Sequence, residues 1–190
     1  MNPSIPVEPT VGRLLATCRH REEPASGRHD RFMLSGAPHL PGWNRMTPRT
    51  ALLQTLEQLD ALDPDHLPVV PLDAYFTGND QEESIAPNQW EFGRPPIREL
   101  YARFQAIAAR PDVQGVYVGL HQDWGMALED DTEWPAAENI HILTSADEPT
   151  VLSWLDGLES DGASAGWPYG QHAAAPVPTE GFQVFSVFWD

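Results

Sequence analysis

The chain contains no lysine and a single cysteine, Cys18. Without lysine there is no phosphate-binding P-loop, no Schiff-base amine and no Ser–Lys dyad. One thiol excludes an internal disulfide and a thiolate-rich metal site. No segment approaches the roughly 20 apolar residues that span a bilayer. Pro3, Pro6, Glu8 and Pro9 interrupt the apolar run that a secretory signal needs, so cytoplasmic residence is the expectation. Positive charge is also scarce: 11 arginines face 28 Asp and Glu, for a net charge of −17.

What is present suffices for one domain. The 190 residues are 41% hydrophobic and include seven Trp and seven Phe, enough to build a core. The charge divides unevenly. Residues 1–45 hold six Arg and four acids, whereas residues 46–190 hold five Arg and 24 acids, a net −19. Such a surface repels nucleic-acid phosphates and anionic lipid and attracts cations over a Debye length of about 8–10 Å. The expectation is therefore no nucleic acid, no membrane and a basic protein partner.

Residues 1–45 are rich in Pro, Gly, Arg and His and show no sustained period. They read as a disordered arm, or as upstream sequence translated ahead of a native start at Met46. The acidic α+β domain occupies residues 46–190. Thr47-Pro48 supplies a helix cap and first position, and Leu52, Leu53, Leu56, Leu59 and Leu62 form the stripe of a first helix ending at Asp63-Pro64. Val69–Phe76 reads as a strand, with Pro71 favouring an edge or a bulge. Pro95-Pro96 opens a second helix with apolar positions Ile97, Leu100, Tyr101, Phe104 and Ile107. Strands follow at 113–121 and 138–144. Asp147 caps a third helix through Leu158, and a Gly- and Pro-rich stretch at 160–180 leads to a last strand at 182–189, apolar on both faces. From Val69 onward the order is β-α-β-β-α-β, the split arrangement of ferredoxin-like sheets. The extra N-terminal helix is available to cover the face that the other two leave open.

Four regions carry possible chemistry. Gly162-Ala163-Ser164-Ala165-Gly166 fits G-x-S-x-G, but it lacks the strand-to-helix elbow of serine hydrolases and reads as a flexible connector. On the middle strands, alternation places Tyr117, Gly119 and His121 on one face with Asn139 and His141, with Asp123 and Glu138 nearby. His121, His141 and Asp123 are thus candidate catalytic residues, as a general base with its orienter or as ligands of a divalent metal. The alternative is a pair of sheet-face histidines packed under the first helix and hydrogen-bonded to carboxylates. No third ligand stands at short spacing, and no cofactor is implied. The third segment, Gln122–Ala137, is about 16 residues long and exceeds most hairpin loops. It sets Glu129, Asp130, Asp131 and Glu133 between Trp124 and Trp134, the composition of an interface with aromatic anchors ringed by charge. Trp167 and Tyr169, in Trp167-Pro168-Tyr169-Gly170, form a second aromatic loop suited to binding.

Several of these pieces carry a resemblance. Gly78-Asn79-Asp80 followed by Ser84-Ile85, Trp134-Pro135, Trp167-Pro168-Tyr169-Gly170 and Phe188-Trp189-Asp190 resemble a group of small uncharacterised bacterial proteins across Met46 to Asp190. In composition the chain is also similar to bacterial immunity proteins. The leading functional expectation is an acidic protein-interaction module, an immunity protein or inhibitor of a cationic partner. The alternative is a small metal-assisted, hydrolase-like enzyme using His121, His141 and Asp123.

Overall fold

Thr47 accepts a hydrogen bond from the Thr50 amide at 3.1 Å, and Pro48 fills the first turn, so helix α1 (Pro48–Leu62) begins at its predicted cap. The computed structural model describes residues 46–89, 91 and 93–189. The expectations for residues 1–45 lie outside that range. Leu52, Leu53 and Leu56 are buried, while Leu62, at the last turn, is 62% exposed.

The segment Val69–Phe76 is not one strand. Strand β1 (Val69–Pro71) stops at the proline, which removes a ladder donor, and Pro71 caps a short helix α2 (Leu72–Phe76). Leu72, Tyr75 and Phe76 are buried at helical rather than strand spacing. Helix α3 (Ile97–Ala108) buries Ile97, Leu100, Phe104 and Ile107 as its period predicts. Strand β2 (Val113–Leu120), helix α4 (Met126–Glu129), strand β3 (Ala137–Thr144) and helix α5 (Glu148–Trp154) follow. Asp147 caps α5 by accepting from the Thr150 amide at 3.1 Å. The helix is shorter than its apolar pattern suggests, and Leu155 and Leu158 are buried from the turns beyond it. The Gly-Ala-Ser-Ala connector is instead strand β4 (Gly162–Ala165), paired with β5 (Gln183–Phe188). Ser164 is thereby an exposed residue of a strand, not a nucleophile on an elbow.

The five strands form one antiparallel sheet in the order β1-β2-β3-β5-β4. The fold class is α+β, as expected. The split arrangement requires another strand between the two that a helix connects, whereas β1 and β2 are direct antiparallel neighbours. The insertion of β4 at the far edge, from sequence read as a connector, completes the difference. Every residue of β3 except Glu138 is buried, so both faces of the sheet are covered there. Trp167, from the segment between β4 and β5, lies over the His141 face, which the sequence assigned to α1. No helix among the described residues is long and apolar enough to cross a membrane.

Candidate functional site

Two loops meet beside the β1–β2–β3 edge, and backbone-directed side chains fix both. In the first, Gly78 adopts φ +81°, and the Asn79 side chain accepts from the Gln81 amide at 3.1 Å while donating to Ser84 Oγ at 2.9 Å. The Tyr75 hydroxyl, fully buried, lies 2.8 Å from the Ser84 carbonyl and 2.7 Å from that of Pro135. Burial pushes its pKa up, so it remains a donor. Arg94 is buried and donates to the carbonyls of Ile85 and Glu82. The Gly78-Asn79-Asp80 and Ser84-Ile85 signature is therefore architecture.

The second loop, 121–136, is tied to the first by Gln81. Its Oε1 accepts from the Trp134 amide at 2.6 Å, and its Nε2 donates to the Thr132 carbonyl. Arg49 of α1 clamps the same loop. It donates to the carbonyls of Ala127 and Asp130, both at 2.6 Å, and of Glu133 at 2.7 Å. A planar fork serving three carbonyls has no lysine equivalent. Replacing Arg49 with Ala should cost about 1–2 kcal/mol, seen as a melting-temperature loss of about 3–6 °C. Proteolysis confined to 122–136 should rise with it, and an unchanged cleavage pattern would contradict the clamp.

Between the loops lies a cavity of about 400 Å³ lined by Glu83, His121, Asp123, Met126, Asp130, Glu133 and Trp134, among others. His121 Nδ1 accepts from the Asp123 amide at 3.1 Å and lies 3.5 Å from Asp123 Oδ2, while Nε2 lies 3.5 Å from Glu138 Oε2. Glu138 in turn accepts from the Tyr169 hydroxyl at 3.4 Å. His121, Glu138 and Tyr169 border a second cavity of about 180 Å³.

The structure thus brings His121 and Asp123 together and leaves His141 elsewhere. Strand β2 ends at Leu120, before His121, and a register shift there leaves Glu138 of β3 as the extra residue between the pairs Gly119–Asn139 and Leu120–Ala137. His141 is buried within the sheet. Ser186 donates its hydroxyl to the Gly166 carbonyl at 2.6 Å and so accepts from His141 Nδ1 at 2.7 Å. The ring packs 4.5 Å from Trp167, and its Nε2 would lie 2.4 Å from any Cβ at position 119, which only glycine avoids. Burial lowers the His141 pKa to about 3, keeping the imidazole neutral. It is packed on the sheet, but against Trp167 and with a serine rather than a carboxylate as its partner. Among the described residues no three His, Cys, Asp or Glu side chains are gathered to hold a metal ion.

The interface residues divide as well. Glu129, Asp130, Asp131 and Glu133 are exposed. Trp124 and Trp134 are each 8% exposed and belong to the hydrophobic core, so neither presents an anchor at the surface. Trp167 is partly buried against His141, and Tyr169 is 54% exposed. The apolar side chains that the loop does expose are Met126, at 67%, and Leu128, at 48%. Sequence reading passed over them because a helix of four residues is too short to display a period.

The model of the Uncharacterized protein YfbO family matches residues 47–187, which takes in both loops and the whole sheet apart from the last residue of β5. The chain belongs to this family. A relative from Escherichia coli strain K12, Uncharacterized protein YfbO, is 28% identical over 149 residues, covering 76% of this chain and 100% of the relative. No solved structure matches. The YfbO family accords with the group of small bacterial proteins that the sequence resembles.

Proposed function

We propose that this YfbO-family chain is a cytoplasmic interaction module whose acidic loop surface binds a basic protein, acting on it as an inhibitor or immunity protein. One observation carries the reading: among the described residues acidic side chains far outnumber arginines, and arginine–carboxylate pairing is rare. Among the described residues only Arg110 pairs with a carboxylate, holding Asp112 at 3.0 Å while stacking 4.2 Å over Trp154. Arg49, Arg94 and Arg103 direct their guanidinium groups to backbone carbonyls instead. Glu129, Asp130, Asp131 and Glu133 outnumber Arg49, the guanidinium that holds the 121–136 loop, and the net negative field steers a cationic protein and penalises an anionic one.

The test is capture from the native host with immobilised full-length chain. A basic protein retained at low salt and released as salt rises is the expected result. The variant E129Q/D130N/D131N/E133Q should retain much less of it. Capture indifferent to salt and to these substitutions would refute the reading.

A second reading, a hydrolase-like acid–base site, draws support from His121, which lies between Asp123 and Glu138 at the border of two cavities. It predicts that His121→Asn abolishes a hydrolytic activity while leaving capture of the basic protein unchanged.

A further inference from the structure

The exposed crest of α4 says more about the partner than charge does. Met126 and Leu128 stand out from a helix of four residues whose second residue, Ala127, is buried. Met126 forms a wall of the 400 Å³ cavity, together with Glu83, Asp123, Asp130 and Glu133. Leu128 forms a wall of another hollow, of about 490 Å³, which Glu57 and Asp60 of α1 also line. Among the described residues no arginine lines either hollow. Met126 and Leu128, two positions apart, project from opposite shoulders of this one-turn helix, each with acid beside it.

The helix is also held in place. Arg49 ties down three carbonyls around it, and Asp130 accepts from the Thr132 amide at 2.9 Å and hydroxyl at 2.7 Å. A fixed apolar contact loses little conformational entropy on binding. Methionine is enriched at protein interfaces and adapts to the shape that covers it.

Resting on the basic-partner reading above, we propose that the Met126–Leu128 ridge is the docking surface for an amphipathic, Lys/Arg-rich segment of that partner. Its apolar stripe covers the ridge, and its flanking cations enter the two acidic hollows. A flexible polycation or a polyamine satisfies the hollows but leaves both apolar side chains in water. A second copy of this chain brings the same net −17 to the contact and is repelled.

Two synthetic peptides of equal charge separate these cases, with the full chain as receptor. One is a Leu/Lys peptide with helical periodicity, and the other a Gly/Lys peptide. Wild type should bind the Leu/Lys peptide about tenfold more tightly, the gain expected from partly burying two apolar side chains. The variant M126S/L128S, changed only at exposed positions, should melt like wild type and bind both peptides at the Gly/Lys affinity. Equal binding of the two peptides by wild type overturns the ridge and leaves the basic-partner reading standing, as does a preference that survives in M126S/L128S. Self-association abolished by M126S/L128S would assign the ridge to a second copy and overturn the proposal. Binding of neither peptide contradicts both readings.

Discussion

Acidification from pH 7 to pH 4.5 should cost the wild-type fold roughly 2–3 kcal/mol through His141 alone. The imidazole is folded into the sheet with a pKa near 3, against the ordinary value of 6.5. Between those values the unfolded chain takes up a proton that the folded chain refuses. Stability from this group is thus fully present above about pH 6.5 and declines as pH falls toward 3. The whole loss is on the order of 5 kcal/mol. Asp63, Asp112, Asp130 and Asp147 act in the same direction, because hydrogen bonds hold each carboxyl below 3.8, but they act in a lower window. Stopping at pH 4.5 therefore isolates the histidine. In His141→Asn the amide NH₂ can replace the donor to Ser186, and nothing titrates. The variant should start less stable at pH 7 and lose less on acidification. Parallel losses in urea unfolding of the two proteins would show that the buried imidazole is not the cause.

Replacing Trp134 with Ala should destabilise the protein by about 3–5 kcal/mol, the cost of emptying a buried aromatic site. Trp134 packs edge-on to Tyr75 at 6.5 Å and seals the core beneath the acidic loop. This outcome separates a core tryptophan from a binding anchor. An anchor substitution leaves the melting temperature in place and speeds dissociation of the partner, whereas a core substitution lowers the melting temperature first. A Trp134→Ala protein that melts with wild type would return the residue to the interface.

The legible parts of the sequence are those that local chemistry decides. Thr47-Pro48 and Asp147 declare helix starts because capping needs only neighbouring residues. The spacing of Ile97, Leu100, Phe104 and Ile107 declares a helix face, and the two-sided apolar run at 183–188 declares a covered strand. What escaped depends on distant partners. Gln81 joins Trp134 across 53 positions, and Arg49 reaches Glu133 across 84. Such bonds decide that the acidic loop is a fixed surface. They also decide that its tryptophans face inward. His141 does share the Gly119 face, but its ring is engaged by Ser186 and Trp167, partners that alternation cannot foresee.

The central claim is that uncompensated acid on the 121–136 loop recruits a basic protein. It is tested most directly by the association rate with the captured partner, measured across ionic strength for wild type and for E129Q/D130N/D131N/E133Q. Steering raises association by roughly 10- to 1,000-fold and is screened by salt. Wild type should therefore associate at least about tenfold faster than the variant at low salt, with the two rates converging as salt rises. Equal rates with equal salt slopes would contradict the account.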